Sequence, residues 1–387
     1  MDFGRDVNAE AAPTVKFKVE RDILAEAVTW TTKTLPQRPA VPVLTGILIT
    51  ADPAGSVHLA VFDYEVSARA EIAAEVEVPG TFLVSGKLLA EISRALPAQP
   101  VTLELQENKV TVNCGSSRFT LMTMPVDEYP ALPQVPATTG VVGAEAFQHA
   151  VNQVGVATSK DDTLPILTSV RMEITGNTVT LLATDRYRLA VREFMWNPKA
   201  ADFEANALVR GKTLTDAAKA MGGDIQIALA ESGGKDMLAI SSNGRVMTSL
   251  LVEGDYPKVR SLFPKEASIS AILETSALRE AVRRVSLVAE RNTPIRFEFA
   301  DGALTLRAGQ GDDAQASEAL PATIDGENIT TGFNPHFIAD GLAQIDTPFV
   351  RFSLTEPKKP VVITGQQELD GEYDSTYRYL LMPIIRF

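Results

Sequence analysis

The sequence predicts an α+β chain of three related units, each with two helices packed on antiparallel sheets. Three observations predict it: segments return in order at a near-constant distance, period-two apolar alternation fills most of the chain between them, and helix-period stretches recur twice per unit. The clearest return is FLVSGKLLAEISRAL (82–96) as ALVRGKTLTDAAKAM (207–221), which sets Lys87 and Lys212 125 positions apart. VPVLTGILI (41–49) returns as LPILTSVRM (164–172) at a spacing of 123, and DEYPAL (127–132) returns as GDYPKV (254–259). AVFDYEVSA (60–68) stands where LATDRYRLA (182–190) stands. A weaker third copy keeps the order. SALREAVRRVSLVAERNTPIRFEF (276–299) matches AEAFQHAVNQVGVATSKDDTLPIL (144–167), and TTGFNPHFIADGLAQI (330–345) takes the place of the Gly-Lys helix. The expected organisation is a disordered N-terminal tail at 1–13 and units at 14–133, 138–259 and 265–387.

Within the first unit each element has a local reason. TVKFKVE (14–20) alternates with period two and reads as a strand. RDILAEAVTWTTKTL (21–35) places Ile23, Leu24, Ala27, Val28 and Thr31 on one helical stripe. GILITADPAGSVHLAVFD (46–63) is a hairpin about Pro-Ala-Gly. SGKLLAEISRAL (85–96) is a helix capped by Ser85 and stopped by Pro97. VTLELQENKVTVNCGSSRFTLMT (101–123) gives three short alternating strands. Across the chain, helices are expected at 20–34, 85–96, 144–160, 211–221, 276–291 and 335–346. The proline-rich joints YPALPQVPATTG (129–140) and YPKVRSLFPKE (256–266) separate the units.

Composition narrows the class. No apolar run approaches the ~18 residues that span a bilayer, and MDFGRDVNAEAAPTV is acidic where a signal peptide is basic, so a cytoplasmic protein is expected. The one cysteine, Cys114, excludes an internal disulfide and a multi-cysteine metal site, and its setting reads as a small buried residue. A net charge of −13 argues against a polyanion-binding protein if the charge is evenly spread. It is not. The six expected helices hold 11 basic and 10 acidic residues, and the remainder holds 25 and 39, so the helices can share a surface that does not repel a polyanion. Arg279, Arg283 and Arg284 favour that reading, whereas the third and sixth helices weaken it. Helices side by side sit ~9 Å apart, so a ring of twelve has a diameter of roughly 34 Å and leaves a channel of about 24 Å, enough for a duplex. One chain supplies six helices; a head-to-tail pair with C2 closure supplies twelve.

VKFKVERD, RPAVPVL (38–44), LLATDRYRLAVRE (181–193), LVEGDYPKVRSLFP (251–264) and the terminal YLLMPIIRF together resemble the bacterial sliding-clamp family, the beta subunits of DNA polymerase III. The tryptophan in the first helix and FDYEVSA are most similar to actinobacterial members. The resemblance runs from about Val15 to Phe387. It implies the DNA-clamp fold, a ring-shaped homodimer around double-stranded DNA, and a processivity factor without catalysis or cofactor. Its implied partners are the DNA polymerase III alpha subunit, the clamp loader and other replication and repair proteins that carry a clamp-binding motif.

By position in the family, Arg38, Lys160, Arg210 and Lys212 are implied to contact DNA, and Arg118 and Phe119 to meet Leu287 and Val288 across the dimer joint. The implied partner-peptide pocket comprises Leu167, Thr184, Arg186, Tyr187, Arg188, Leu189, Pro257, Leu262, Pro360, Val362, Leu380, Met382, Pro383 and Ile384. Short partner motifs carry a glutamine and large apolar side chains, which suit an apolar cleft with a few polar anchors, and methionine and proline supply adaptable apolar surface. Two departures stand out. Family members commonly have glycine and histidine where this chain has Arg186 and Tyr187, and MPIIRF is one residue longer than the usual ending. Altered binding of small-molecule or peptide inhibitors in this pocket is therefore expected.

An enzyme is not indicated. His58, His149 and His336 fall at unrelated points of the repeat, SGKLL and RGKTL lack the upstream glycine of a phosphate loop, and GQGDDAQASE lacks the spacing of a metal loop. A non-encircling interaction scaffold is the alternative reading.

Overall fold

The computed structural model describes residues 14–232, 235–289, 293–309 and 314–384. The tail expected at 1–13, residues 290 and 291 of the fifth expected helix with residue 292 after it, residues 310–313 of the expected non-metal loop and the last three residues of MPIIRF lie outside them. The described chain repeats one order three times: a strand, a helix, five strands, a helix and three strands. The helices are α1 (Arg21–Thr32), α2 (Gly86–Ala95), α3 (Ala144–Gly155), α4 (Gly211–Ala220), α5 (Thr275–Val285) and α6 (Pro335–Leu342).

In α1 the buried stripe is Leu24, Ala27, Val28 and Thr31, with Trp30 added. Ile23 is 43% exposed and does not belong to it. Thr31 fits an apolar stripe because its hydroxyl donates to the Ala27 carbonyl at 2.7 Å. The Ser85 hydroxyl accepts from the Leu88 N–H at 3.4 Å, and α2 stops before Pro97. Asn334 caps α6 through the Phe337 and His336 N–H groups, with Pro335 in the first turn, where its missing donor has no consequence. All six helices are shorter than their sequence spans, most of all at three ends: α3 ends at Gly155, α5 hands over to a 3₁₀ turn at Ser286–Val288, and α6 ends at Leu342.

The Gly-Lys pairs have a packing explanation. A Cβ on Gly86 would stand 2.7 Å from Leu35 and 3.1 Å from Thr32; one on Gly211 would stand 3.0 Å from both Thr158 and the Thr168 carbonyl. Glycine at both places allows the second helix of a repeat to start hard against the chain that follows its first helix.

The described residues form two compact units, one of residues up to Val141 with Ala220–Leu250, the other of Val142–Lys219 with residues from Leu251 on. The division cuts the second repeat because sheets run from one repeat into the next. In the first unit the fourth strand of repeat one, Val66–Ala73, pairs antiparallel with the ninth strand of repeat two, Arg245–Leu250, and buried Ser67 and Thr248 share a 2.6 Å hydrogen bond there. In the second unit Arg188–Met195 pairs in the same way with Tyr377–Leu381, the ninth strand of repeat three. Cys114 is buried, its Sγ 3.3 Å from the Pro97 and Gln99 carbonyls.

Candidate functional site

The candidate site begins at the turn between the strands Thr178–Thr184 and Arg188–Met195. Asp185 sets it, with one carboxylate oxygen accepting the Tyr187 and Arg188 N–H groups, both at 3.0 Å. Arg186 takes φ +80°, a left-handed conformation that a side chain disfavours. Thr184 is buried, and its hydroxyl donates to the Arg188 carbonyl at 2.7 Å. Tyr187 is 58% exposed and stacks on Phe337 with ring centres 6.0 Å apart.

Arg188 faces inward. It is 4% exposed, paired with Asp185 at 3.0 Å and Asp340 at 2.6 Å, and its guanidinium lies 4.4 Å from the centre of the Phe337 ring. Burial alone would lower its pKa, but Tyr379, Asp340 and Asp185 outweigh burial and hold it above its ordinary value. It braces the turn against α6 and carries no exposed rim charge.

Behind the turn, Leu189, Val362 and Leu380 join Leu182, Val191, Leu208, Tyr256 and Val259 in one apolar cluster. Strand pairing fixes part of this set, since Leu380 stands opposite Leu189 on one side and Val362 on the other. The Met382 N–H donates to the Tyr187 carbonyl at 2.9 Å, and the Ile384 N–H to Gly332 at 2.8 Å. Leu262 and Met382 are exposed, Pro383 and Ile384 half-buried, and Pro360 precedes the strand Val361–Gln366. Leu167 is buried, its carbonyl accepting the Ser159 N–H at 2.8 Å. Pro257 lines an adjoining groove of about 340 Å³ with Arg171, Glu173, Lys258, Val259 and Arg260. Phe337, Asp340 and Tyr379 complete the support and were absent from the sequence reading. No local motif marks them, because each meets the turn from more than 140 positions away.

The residues expected to touch DNA are spread over the fold. Arg38 and Lys160 are exposed in the chain following α1 and α3. Arg210 ends the strand before α4, and Lys212, in the first turn of α4, pairs with Asp216 at 2.5 Å while its side chain stays 74% exposed. The arginines of α5 do not form an open positive face. Arg279 donates to the Leu342 carbonyl at the end of α6, at 2.8 Å, and to that of Ile345 beyond it; Arg283 pairs with Glu280 at 2.8 Å and Arg284 with Glu318 at 2.6 Å. The Arg279 contact is one a helix C-terminus favours.

Of the residues expected at the dimer joint, Leu287 is 79% exposed, Phe119 is 39% exposed, Arg118 is exposed and Val288 is half-buried. Phe119 lies on the strand Ser117–Met124, whose only ladder partners among the described residues are Lys109–Cys114 and, near its end, Leu83 and Val84.

Family models for the DNA polymerase III beta subunit match three successive stretches: the N-terminal domain at residues 15–133, the central domain at 141–258 and the C-terminal domain at 260–384. The chain belongs to this sliding-clamp family. A beta sliding clamp of Streptomyces coelicolor is 52% identical over 373 residues, covering 96% of this chain and 99% of the relative. One from Micrococcus luteus is 55% identical over 313 residues, covering 80% of this chain and 100% of the relative. These relatives make this an actinobacterial-type clamp. The crystal structure of the Bacillus subtilis sliding clamp superposes with a TM-score of 0.89 at 26% identity, covering 97% of this chain and all of that one.

The glycine that the family resemblance implies at the Arg186 position would have a backbone reason here. At φ +80° glycine is unstrained and arginine is not, so this chain carries strain at a turn where a glycine would remove it.

Proposed function

We propose that two copies of this clamp close head to tail into a ring around duplex DNA, and that the ring holds DNA polymerase III and other replication and repair proteins on their template. The observation that carries this reading is strand pairing. The fourth strand of each of the first two repeats pairs with the ninth strand of the next. Repeat three has its fourth strand, Ala316–Pro321, at an open sheet edge, and repeat one has the ninth strand, Ser117–Met124, with an open edge along most of its length. An antiparallel joint between these two edges on different copies is the same joint made a third time, and doing it twice closes a C2 ring. Phe119, Met122 and Leu287 are the exposed apolar side chains that such a joint would cover, with Arg118 and Val288 beside them.

In this reading affinity for DNA is topological, with weak, salt-dependent phosphate contacts from Arg38, Lys160, Arg210 and Lys212. The clamp loader and the alpha subunit, like other motif-bearing proteins, dock by short segments at the pocket built on residues 184–189 and 380–384, where inhibitors would compete. The protein works in the cytoplasm and catalyses nothing: its Gly-Lys pairs serve helix packing, and the arginines of α5 are held in structural pairs.

The test is retention. A dimer of about twice 41.7 kDa, loaded with loader and ATP, should stay on nicked circular DNA and leave after linearisation. Equal retention on both forms would support a non-encircling scaffold instead.

A further inference from the structure

We propose that the groove beside the partner pocket is a second recognition site, one that reads an acidic residue flanking the docked motif. It rests on the pocket reading above. The groove holds about 340 Å³ between the strand Ser169–Thr175 and the 3₁₀ turn Val259–Leu262. Its floor is buried Leu182, Tyr256 and Val259, which belong to the apolar cluster under the pocket. A peptide seated on that cluster therefore reaches this rim within a few residues.

The rim is cationic. Arg171, Lys258 and Arg260 line it together with one carboxylate, Glu173. Glu173 accepts from the Arg171 Nε at 2.7 Å and also from Arg260, so three cations share a single counter-charge within the groove. Exposure is graded in the same sense: the Arg260 side chain is 53% exposed, Arg171 32% and Glu173 21%, which sets the carboxylate back and the guanidinium groups forward. This local excess stands on a chain of net charge −13. A general attraction for anions is thus absent, and the groove selects for position: a carboxylate is favoured where it meets the guanidinium forks and disfavoured elsewhere. Asparagine has nearly the same shape but lacks the charge and the second acceptor oxygen.

Exposed charge pairs each contribute a factor of about 1.7 to 3, so two of them give about three- to tenfold. The experiment uses the full-length dimer and fluorescence anisotropy with synthetic peptides that share one glutamine-and-apolar core. They carry Asp-Asp before the core, Asp-Asp after it, or Asn-Asn at the same places. One Asp-Asp peptide should bind about three- to tenfold more tightly than its Asn-Asn twin at low salt, and the ratio should fall towards one at about 0.5 M salt. Arg260→Gln should collapse the ratio, and Glu173→Gln should enlarge it. Ratios near one on both flanks would overturn the proposal, as would a ratio unaffected by Arg260→Gln combined with Lys258→Gln. If no peptide binds, with either flank, the pocket reading fails and this inference falls with it.

Discussion

At residues 63–66 and 185–188 the chain makes the same turn twice. Asp63 accepts the Glu65 and Val66 N–H groups at 3.0 and 2.7 Å, as Asp185 accepts those of Tyr187 and Arg188. Tyr64 sits at φ +75° and Arg186 at φ +80°. Behind the first turn is Tyr129, whose hydroxyl accepts the Phe62 N–H at 2.8 Å; behind the second is its repeat counterpart, Tyr256. The backbone is thus inherited from the repeat. The side chains after the Asp differ, and the fourth position decides the packing. Val66 is half-buried, whereas Arg188 is buried and tied to Asp185, Asp340 and Phe337. The second turn is braced against α6, and the exposed Tyr187 is stacked in place by that brace.

The comparison breaks hardest at Arg188. Arg188→Ala leaves Asp185 without its buried partner and should lower stability by about 3 kcal/mol, the lower end of the range for a buried pair because Asp340 stays partly solvated. Val66→Ala should lower it by about 1 kcal/mol or less. Chemical denaturation of both variants measures the gap, and equal losses would remove the brace from the account.

A smaller effect is expected at Tyr129→Phe, which strands the Phe62 N–H and should reduce stability by about 1–2 kcal/mol. The Tyr129 phenol also gives a pH signature. Burial, helped by Asp63 and opposed by the Phe62 N–H, raises it to about 12 from 10.0. A raised phenol favours the neutral form in the fold, so its contribution is complete below pH 10 and is lost as pH rises through about 12. Denaturation midpoints between pH 9 and 12 should fall less steeply in Tyr129→Phe.

The finest distinction lies in the strained positions. Tyr64→Gly and Arg186→Gly both relieve a positive φ, and each should be neutral to about 0.5 kcal/mol stabilising. Only Arg186→Gly should change the affinity of a pocket-binding peptide or inhibitor, by about twofold to fivefold in calorimetric titration. Equal peptide affinity for wild type and this variant would count against Arg186 as part of the pocket rim.

The repeat was legible in the sequence because its period survives in short marked segments, Gly-Lys, the turn Asp and Tyr-Pro among them. The strands and most helix starts followed from alternation and caps, with Ser85 as the clear case. Helix ends were not, because α3, α5 and α6 pass into 3₁₀ or irregular chain with no proline at the stop, while apolar residues continue past Gly155 and Leu342. Ile23 was misplaced since a stripe two residues wide cannot be centred from periodicity alone. At the site, the turn and the terminal strand could be read from the chain, but Asp340 and Phe337 could not: their role arises from contacts across some 150 positions. The arginines of α5 looked like an open cationic face and are held by carbonyls at and beyond the end of α6, Glu280 and Glu318, partners that charge counting does not show.

The most direct measurement is hydrogen exchange of the full-length dimer with and without a saturating motif peptide. The account predicts slower exchange at residues 184–189 and 377–384 and no change at residues 62–67. Protection at both turns, or at the first alone, would contradict the claim that one repeat of the shared turn has become the binding wall.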